Sequence, residues 1–147
     1  MKLIPTRETS EGNDDFIQNP DCQDSIYMLV EFYKKIGFNP PWIGYYAKKD
    51  GQLVGSAGFK GAPKNGKVQI AYSTFPRFQQ QGFGTEICRQ LVQLALDTDP
   101  TVTITARTLP KENYSTKILQ KNGFNLVGVV RDEDDGNVWE WVYFKNE

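Results

Sequence analysis

A strand followed by a glycine-bearing turn and an amphipathic helix constrains this chain more than any other feature. Residues 68–75 have the composition of a strand, and the turn at 79–85 reads Gln-Gln-Gln-Gly-Phe-Gly-Thr. A helix that begins at such a turn leaves its first backbone N–H groups without intrahelical partners. Apolar residues at spacings of three and four then predict one buried helix face; they are Ile87, Cys88, Leu91, Leu94 and Ala95.

The turn has the properties of a phosphate site. Gly82 and Gly84 let ligand oxygens approach the backbone without an intervening Cβ, and the helix start carries a partial positive charge that favours a diphosphate. A Walker loop is excluded because no lysine precedes Thr85, and a dinucleotide fingerprint is excluded because Ile87 replaces its third glycine. The remaining pattern, Gln-x-x-Gly-x-Gly at 79–84, is also compatible with a plain turn at a helix start.

Composition limits the class of protein. The 147 residues suit one domain, 1–147, in which we expect 1–18 to be poorly defined. The 17 basic and 18 acidic residues nearly cancel, which argues against a nucleic-acid partner. No apolar run is long enough for a membrane span or a signal peptide. Together with two cysteines, Cys22 and Cys88, that are expected to be reduced and buried, this predicts a cytoplasmic protein.

The chain contains no histidine. Histidine-based triads, imidazole acid–base chemistry and most zinc sites are therefore excluded. We accordingly predict no metal site in this chain.

Strand and turn signals predict a sheet built largely of hairpins. A short strand at Leu3 and Ile4 and a loop at 8–16 precede a helix that starts at Asn19 and ends at Gly37. Turns at 49–52 and 64–67 join three strands into an antiparallel meander; these strands lie at 42–47, 53–59 and 68–75.

The second half of the chain adds a parallel neighbour. The strand at 101–107 follows the helix, and because strand–helix–strand crossovers are right-handed it should lie parallel to 68–75. A short helix opening at 110–115 precedes two strands, 124–130 and 138–144. The fold class is thus α+β, a twisted mixed sheet of about six to seven strands, mostly antiparallel with one central parallel pair, flanked by about three to four helices.

Two motifs resemble those of the GNAT superfamily of acetyl-CoA-dependent N-acetyltransferases. The pattern at 79–84 is similar to the family's pyrophosphate loop, Gln/Arg-x-x-Gly-x-Gly/Ala. Residues 113–116 and 119–124 look like its Asn-x-Ser-Thr…Leu-x-Lys-x-Gly-Phe segment, as in the branch that resembles ribosomal-protein N-terminal acetyltransferases. The tail at 138–141 is also similar to that branch. The resemblance covers roughly residues 40–145 and implies a GNAT-like fold.

The resemblance implies a binding mode for acetyl-CoA. The sheet should splay where the strand ending near Phe75 leaves its parallel neighbour, and the pantetheine arm should lie in that gap. The pyrophosphate should bind the N–H groups of residues 80–85. Asn113 is implied either to bond to the pantetheine or only to cap its helix. The expected cofactor contacts are Thr74, Phe75, Gln79, Gln80, Gln81, Gly82, Phe83, Gly84, Thr85, Asn113 and Ser115.

The implied reaction is direct attack of a primary amine on the thioester through a tetrahedral intermediate. A backbone N–H near Thr74 or Phe75 is expected to stabilise the oxyanion. Many family members carry a tyrosine acid where this chain has Leu119, so Ser115 is the expected general acid, or else only a turn hydroxyl. Many also carry a glutamate where this chain has Gln69, which cannot accept a proton.

The implied acceptor is an amine of a small molecule or a protein. Tyr27 and Tyr33 either line a substrate groove or belong to the core. Glu140 either borders the acceptor site or is an inward charge that discourages edge pairing. The acidic run at 132–135 is a solvated turn or attracts a cationic acceptor. The aromatic stripe at alternate positions of 139–143 is core or the surface of a homodimer.

Two other functions are compatible with the same residues. A module or sensor that binds acyl-CoA without transferring the acyl group is suggested by Leu119 and Gln69, which replace the usual acid and base. A protein that uses the loop for another nucleotide phosphate would bind nucleotides independently of pantetheine. Turnover with amines separates the enzyme from both.

Overall fold

The computed structural model describes residues 1–144, so residues 145–147 of the predicted domain lie outside the described residues. Seven strands form one sheet: β1 Lys2–Pro5, β2 Gly44–Lys49, β3 Gln52–Phe59, β4 Lys67–Thr74, β5 Thr103–Thr108, β6 Phe124–Asp132 and β7 Gly136–Tyr143. The helices are α1 Asp14–Ile17, α2 Gln23–Ile36, α3 Phe83–Thr98 and α4 Tyr114–Lys121. None of these helices combines the length and apolar character needed to cross a membrane.

The sheet has the order β1-β2-β3-β4-β5-β7-β6. All neighbours are antiparallel except β4 and β5, which run parallel from the pair Lys67–Thr103 to the pair Ile70–Ala106. Helix α3 makes the crossover between these two strands. The predicted fold class, a mixed sheet with one central parallel pair, is confirmed.

Two hairpin turns in the first half of the sheet follow from their sequences. Asp50 and Gly51 have φ values of 51° and 80°, and Asn65 and Gly66 have values of 53° and 75°. Two successive residues with positive φ make the turn type whose twist matches that of paired strands, and Asp-Gly and Asn-Gly adopt it most readily. These dipeptides therefore set the register of β2 with β3 and bring β4 alongside.

Side chains from both faces of the sheet enter two apolar clusters. The larger cluster contains the inner face of α3, where Ile87, Cys88, Leu91 and Ala95 are fully buried. The smaller cluster packs Tyr46 and Phe75 against the α2 side of the sheet; its other buried members are Phe16, Cys22 and Ile26. Both cysteines are buried free thiols, as expected.

The chain before α2 is more ordered than its composition suggested. The predicted loop at 8–16 contains a 3-10 turn at Ser10–Gly12 and the start of α1. Asn19 was the predicted helix start, but its side chain accepts a hydrogen bond from the Asp21 N–H at 2.9 Å and closes a separate turn. Helix α2 therefore begins only at Gln23. It ends before Gly37, as predicted.

The aromatic stripe on β7 belongs to the core. Trp141 is 1% exposed, and its indole N–H donates to the Thr108 hydroxyl at 3.0 Å. Trp139 and Tyr143 are half-buried and pack against the larger cluster. The stripe therefore packs into the core, as one of the two interpretations expected, and the homodimer stays a prediction.

Candidate active site

The turn between β4 and α3 presents a row of unpaired backbone donors. Gln80 and Gly82 have positive φ values of 63° and 83°, which turn the chain sharply before the helix. Within residues 1–144, no atom accepts a hydrogen bond from the N–H groups of residues 80–85. The 16-residue helix behind them adds a partial positive charge. This arrangement can hold a diphosphate.

Contacts between side chains and backbone groups of residues 74–83 stabilise the shape of the turn. The rings of Phe78 and Phe83 meet at 6.2 Å in an edge-to-face arrangement. The amide of Gln79 donates to the Thr74 carbonyl at 3.3 Å, and the amide of Gln81 donates to a carbonyl four residues earlier at 3.4 Å. The two glutamines therefore hold the loop in shape, and the unpaired N–H groups are the part of it that is free to bind a ligand.

The two glycines of the motif have different surroundings. A Cβ on Gly82 would meet nothing within 4 Å, so this position is open to a ligand. A Cβ on Gly84 would lie 2.7 Å from Cδ1 of Ile118 and 3.2 Å from the hydroxyl of Thr74. Gly84 thus permits close packing of α3 against α4 and β4, a role that sequence reasoning did not separate from ligand approach.

The parallel strands separate beyond their last pair. Pairing between β4 and β5 ends at Ile70 and Ala106, whereas the strands continue to Thr74 and Thr108. A gap therefore opens between them on the side of the turn. This is the splay that the sequence resemblance implied.

Backbone alternation decides which groups face the gap. The Phe75 N–H donates to the Val54 carbonyl at 2.9 Å, and the Lys60 N–H donates to the Gln69 carbonyl at 2.9 Å. Because backbone bonds of an antiparallel pair alternate along the strand, the N–H of Thr74 points away from β3 and into the gap. The Phe75 N–H already has an acceptor, and Phe75 is buried. Of the two predicted oxyanion donors, the Thr74 N–H is therefore the one that suits the role.

The gap is continuous with two cavities. A central cleft of about 290 Å³ lies between β4 and β5; it is bordered by Gln69, Ala71, Tyr72, Arg107, Asn113 and Ser115, among others. A loop groove of about 290 Å³ lies at the α3 turn; it is bordered by Tyr72, Thr74, Gln79, Gln80, Tyr114 and Ser115, among others. Ser115, exposed at the start of α4, borders both cavities.

A third cavity opens on the other face of the sheet. This α2 groove measures about 450 Å³; it is bordered by Ser25, Met28, Leu29, Phe32, Tyr46 and Asp134, among others. Its walls are largely apolar, and Asp134 and Lys60 contribute opposite charges. Lys60, Ala71 and Tyr72 border both this groove and the central cleft.

The two predicted substrate tyrosines lie elsewhere. Tyr27 is 51% exposed and borders none of the three cavities. Tyr33 is buried, and its hydroxyl is within 2.7 Å of both the Thr6 hydroxyl and the Gly44 N–H. That hydroxyl is therefore part of the core. A second face of α2, next to its buried face, borders the α2 groove, and the sequence analysis did not identify it. The residues of this face are Ser25, Met28, Leu29 and Phe32.

Asn113 caps α4. Its side-chain oxygen accepts a hydrogen bond from the Thr116 N–H at 3.0 Å, and its own N–H donates to the Thr116 hydroxyl at 3.0 Å. This reciprocal capping box is the local role that sequence reasoning offered as an alternative. Asn113 also borders the central cleft, so contact with pantetheine stays a prediction.

Substitutions at Asn113 separate the two roles. Asn113→Ala is expected to lower the free energy of unfolding by about 1 kcal/mol, because the cap is lost. Asn113→Asp is expected to retain most of the stability, since aspartate caps as well as asparagine. Denaturant unfolding measures this, and acetyl-CoA binding to the aspartate variant reports any further role. Equal destabilisation by both substitutions would contradict the capping role.

The acidic turn between β6 and β7 is anchored at Asp132. Arg107 donates to one oxygen of this carboxylate at 2.9 Å, and the Asp134 and Asp135 N–H groups donate to the other at 3.0 and 3.2 Å. The Arg107 guanidinium also lies 3.8 Å from Glu140. Asp132 is therefore a largely buried anchor at the wall of the central cleft. Asp135 borders the same cleft, and Asp134 borders the α2 groove.

Asp132 should make the fold sensitive to acid. The hydrogen bonds from Arg107 and from the turn hold the pKa of Asp132 below its usual 3.8. The ionised group thus stabilises the fold above pH 3.8, and this contribution is lost as the pH falls through the lower folded-state pKa. Asp132→Asn should show a shallower loss of unfolding free energy in acid than the wild type. Parallel pH profiles from denaturant unfolding would contradict this.

Comparison with known proteins decides the family. The sequence profile of the acetyltransferase (GNAT) domain matches residues 1–125. The chain belongs to the GNAT acetyltransferase family. Within this family, it is similar to the uncharacterized N-acetyltransferase YjdG of Bacillus subtilis strain 168, with 32% identity over 118 residues. The alignment covers 79% of this chain and 66% of YjdG.

Solved structures of acetyltransferases share the fold. The aminoglycoside acetyltransferase AAC(6')-Ib in complex with coenzyme A is 26% identical, with a TM-score of 0.59 over 68% of this chain and 64% of that chain. A spermidine N-acetyltransferase SpeG chimera from Vibrio cholerae and hSSAT is 14% identical, with a TM-score of 0.71 over 97% and 94%. The chain spans just under two thirds of the length of YjdG and of AAC(6')-Ib. The GNAT family is confirmed, and the ribosomal-protein branch stays a prediction.

Proposed function

We propose that this GNAT protein transfers an acetyl group from acetyl-CoA to a primary amine. The observation that carries the proposal is the row of unpaired N–H groups at residues 80–85, which lies at the loop groove and the gap between β4 and β5. The diphosphate binds this row, and the pantetheine follows the gap into the central cleft. The structure of AAC(6')-Ib with coenzyme A supports the same choice of co-substrate.

The chemistry begins with an unprotonated amine in the α2 groove. Its nitrogen attacks the thioester carbonyl, a C–N bond forms, and the carbonyl oxygen becomes negative. The Thr74 N–H, which faces the gap, donates to this oxygen. The C–S bond then breaks, the sulfur keeps the electron pair and is protonated, and the amide and coenzyme A leave. In this scheme water removes the proton of the amine, because Gln69 cannot accept one. Ser115 passes its hydroxyl proton to the sulfur and regains a proton from that water.

The α2 groove suits an amine carried by a small molecule. Its walls are largely apolar, Asp134 offers a negative charge to an amine, and Lys60 borders the same groove with the opposite charge. The solved relatives include enzymes named for aminoglycosides and for spermidine, which are amines of this kind. The resemblance to ribosomal-protein N-terminal acetyltransferases makes a protein N-terminus the alternative acceptor.

An amine panel tests the proposed function. The protein is incubated with acetyl-CoA and an aminoglycoside, spermidine or peptides with free N-termini, and both released CoA thiol and acetylated product are measured. We expect at least one amine to release thiol and gain one acetyl group in equal amounts. Thiol release without acetylated product would indicate hydrolysis, and a reaction without added amine is the control. Absence of product across the panel would contradict transfer to these classes of amine.

An acyl-CoA-binding module is the second candidate function. Gln69 borders the central cleft in place of a carboxylate, and Leu119 occupies the usual position of the acid. Such a module would bind acetyl-CoA with the affinity of an enzyme and show no turnover with any amine. Binding measurements combined with the amine panel therefore distinguish the two functions.

A further inference from the structure

Two residues connect the loop groove to the central cleft. Tyr72 of β4 and Ser115 of α4 are the residues that border both cavities. The Tyr72 hydroxyl lies 3.5 Å from the Ser115 carbonyl oxygen, so strand and helix meet here across the gap. We call this pair the neck. An acyl-CoA molecule whose diphosphate binds the loop and whose pantetheine arm reaches into the central cleft would lie against the neck.

Tyr72 holds a special position on β4. It lies on the same strand face as Ile70, which forms the last parallel pair with Ala106. Tyr72 is thus the first residue on that face of β4 after its pairing with β5 ends, at the point where the gap begins. It also borders the α2 groove, and no other residue within 1–144 borders all three cavities.

The surroundings of Tyr72 keep its phenol protonated. Burial raises the pKa of the Tyr72 phenol, and the neighbouring Cys88 thiol of α3 raises it further. Burial also raises the pKa of Cys88, to about 12. From α4, the phenol meets the neutral Ser115 carbonyl at the long distance of 3.5 Å. The phenol is therefore a neutral donor with one long hydrogen bond, to this carbonyl, and one weak acceptor beside it, the Cys88 thiol.

We infer that Tyr72 is a catalytic residue that donates a hydrogen bond from its hydroxyl to the sulfur of the acyl donor as the C–S bond breaks. The inference rests on the proposed acetyl transfer. The sulfur takes the electron pair of the broken bond, and the phenol keeps its proton. The proton that the amine loses passes to water, and the thiolate is later protonated by Ser115 or by water.

The role follows from the difference between the two sulfur species. A thioester sulfur is a poor acceptor, whereas a thiolate carries a full charge and accepts strongly. A neutral donor at the neck therefore stabilises the leaving group more than the bound substrate, which is the condition for accelerating the chemical step. Many family members have a tyrosine acid where this chain has Leu119. The hydrogen bond from Tyr72 would supply part of the leaving-group stabilisation that such a tyrosine provides.

The test measures the thiol pKa of protein-bound coenzyme A, which requires no turnover. Thiolate formation is followed by ultraviolet absorbance during a pH titration of the wild type and of Tyr72→Phe, each saturated with free coenzyme A. The protein's own thiols do not interfere, because burial raises the pKa of both Cys22 and Cys88 to about 12. A hydrogen bond to the thiolate lowers the pKa of the bound thiol. We expect that pKa to be about one unit or more higher in Tyr72→Phe, a factor of about ten in the equilibrium.

Controls and turnover complete the test. Tyr143→Phe removes a tyrosine hydroxyl outside the neck and should leave the thiol pKa unchanged. With an amine from the panel, Tyr72→Phe should reduce kcat about tenfold while the Kd of acetyl-CoA stays the same. Equal thiol pKa values in the wild type and in Tyr72→Phe, with coenzyme A bound to both, would overturn the role of Tyr72 and leave the proposed function intact. Failure of the wild type to bind coenzyme A would overturn the proposed function itself.

Discussion

Gly82→Asp is expected to weaken acetyl-CoA binding by about 100-fold or more, whereas Gly82→Asn should weaken it much less. Gly82 precedes α3 with a left-handed φ of 83°, and a Cβ there would meet no protein atom within 4 Å. An aspartate therefore places a negative charge at the unpaired N–H groups. At about 4 Å and an effective dielectric constant near 20, two like charges repel by roughly 4 kcal/mol, and salt screening lowers this.

The asparagine variant is the matched control for shape and backbone strain. Asparagine and aspartate have the same size, and both tolerate the left-handed conformation better than other non-glycine residues. The difference in acetyl-CoA affinity between the two variants therefore reports the effect of the charge. Isothermal calorimetry at low and high salt measures both affinities, and their difference should shrink as salt is added. Equal losses in both variants at low salt would mean that the phosphate does not bind at this turn.

Gly84 is a poorer probe of the same site. It is buried, and an added Cβ would lie 2.7 Å from Ile118. A larger residue there would disturb the packing between α3 and α4 as well as the loop. Loss of binding would then have two causes, so the charge substitution at Gly82 is the sharper experiment.

Trp141→Ala should lower the free energy of unfolding by about 3–5 kcal/mol, the usual cost of deleting a buried tryptophan. Trp141 is 1% exposed and belongs to the larger apolar cluster. Its indole also donates to the Thr108 hydroxyl at the end of β5, beside the central cleft. The substitution leaves a cavity and an unfilled hydrogen bond at the point where β7 closes against β5.

Thr108→Val separates the hydrogen bond from the packing. It removes the acceptor of the indole N–H and keeps the side-chain volume similar, so we expect a loss of about 1–3 kcal/mol. Denaturant unfolding of both variants, with sedimentation analysis of their oligomeric state, measures the effects. An unchanged stability of Trp141→Ala together with a changed oligomeric state would mean that the aromatic stripe is an interface.

Local sequence signals predicted most of the fold. The dipeptides Asp50-Gly51 and Asn65-Gly66 specified two turns through their tolerance of positive φ. The parallel pair followed from the handedness of a strand–helix–strand connection. The sharp turn before α3 followed from glycines at a helix start, and phosphate binding there stays a prediction. The turns depend on a few consecutive residues and the parallel pair on one strand–helix–strand unit, which is why sequence alone was sufficient for them.

The finer features of the site depend on contacts between distant residues. The direction of the Thr74 N–H is set by the register of β4 with β3, and periodicity alone does not reveal this. Gly84 is required by Ile118, which lies on another helix. Asp132 reads as a solvated acid in sequence, and only the fold brings Arg107 to it. Tyr72 reads as an ordinary strand residue until the gap beside it is seen.

A calorimetric titration of the unmodified protein with acetyl-CoA, with free coenzyme A and ATP as controls, tests the proposed co-substrate site directly. We expect micromolar binding of acetyl-CoA and of coenzyme A, because both place a diphosphate on residues 80–85 and a pantetheine arm in the gap. ATP, which lacks the arm, should bind much more weakly. Equal binding of ATP would contradict the role of the gap, and no binding of acetyl-CoA would contradict its use as the co-substrate.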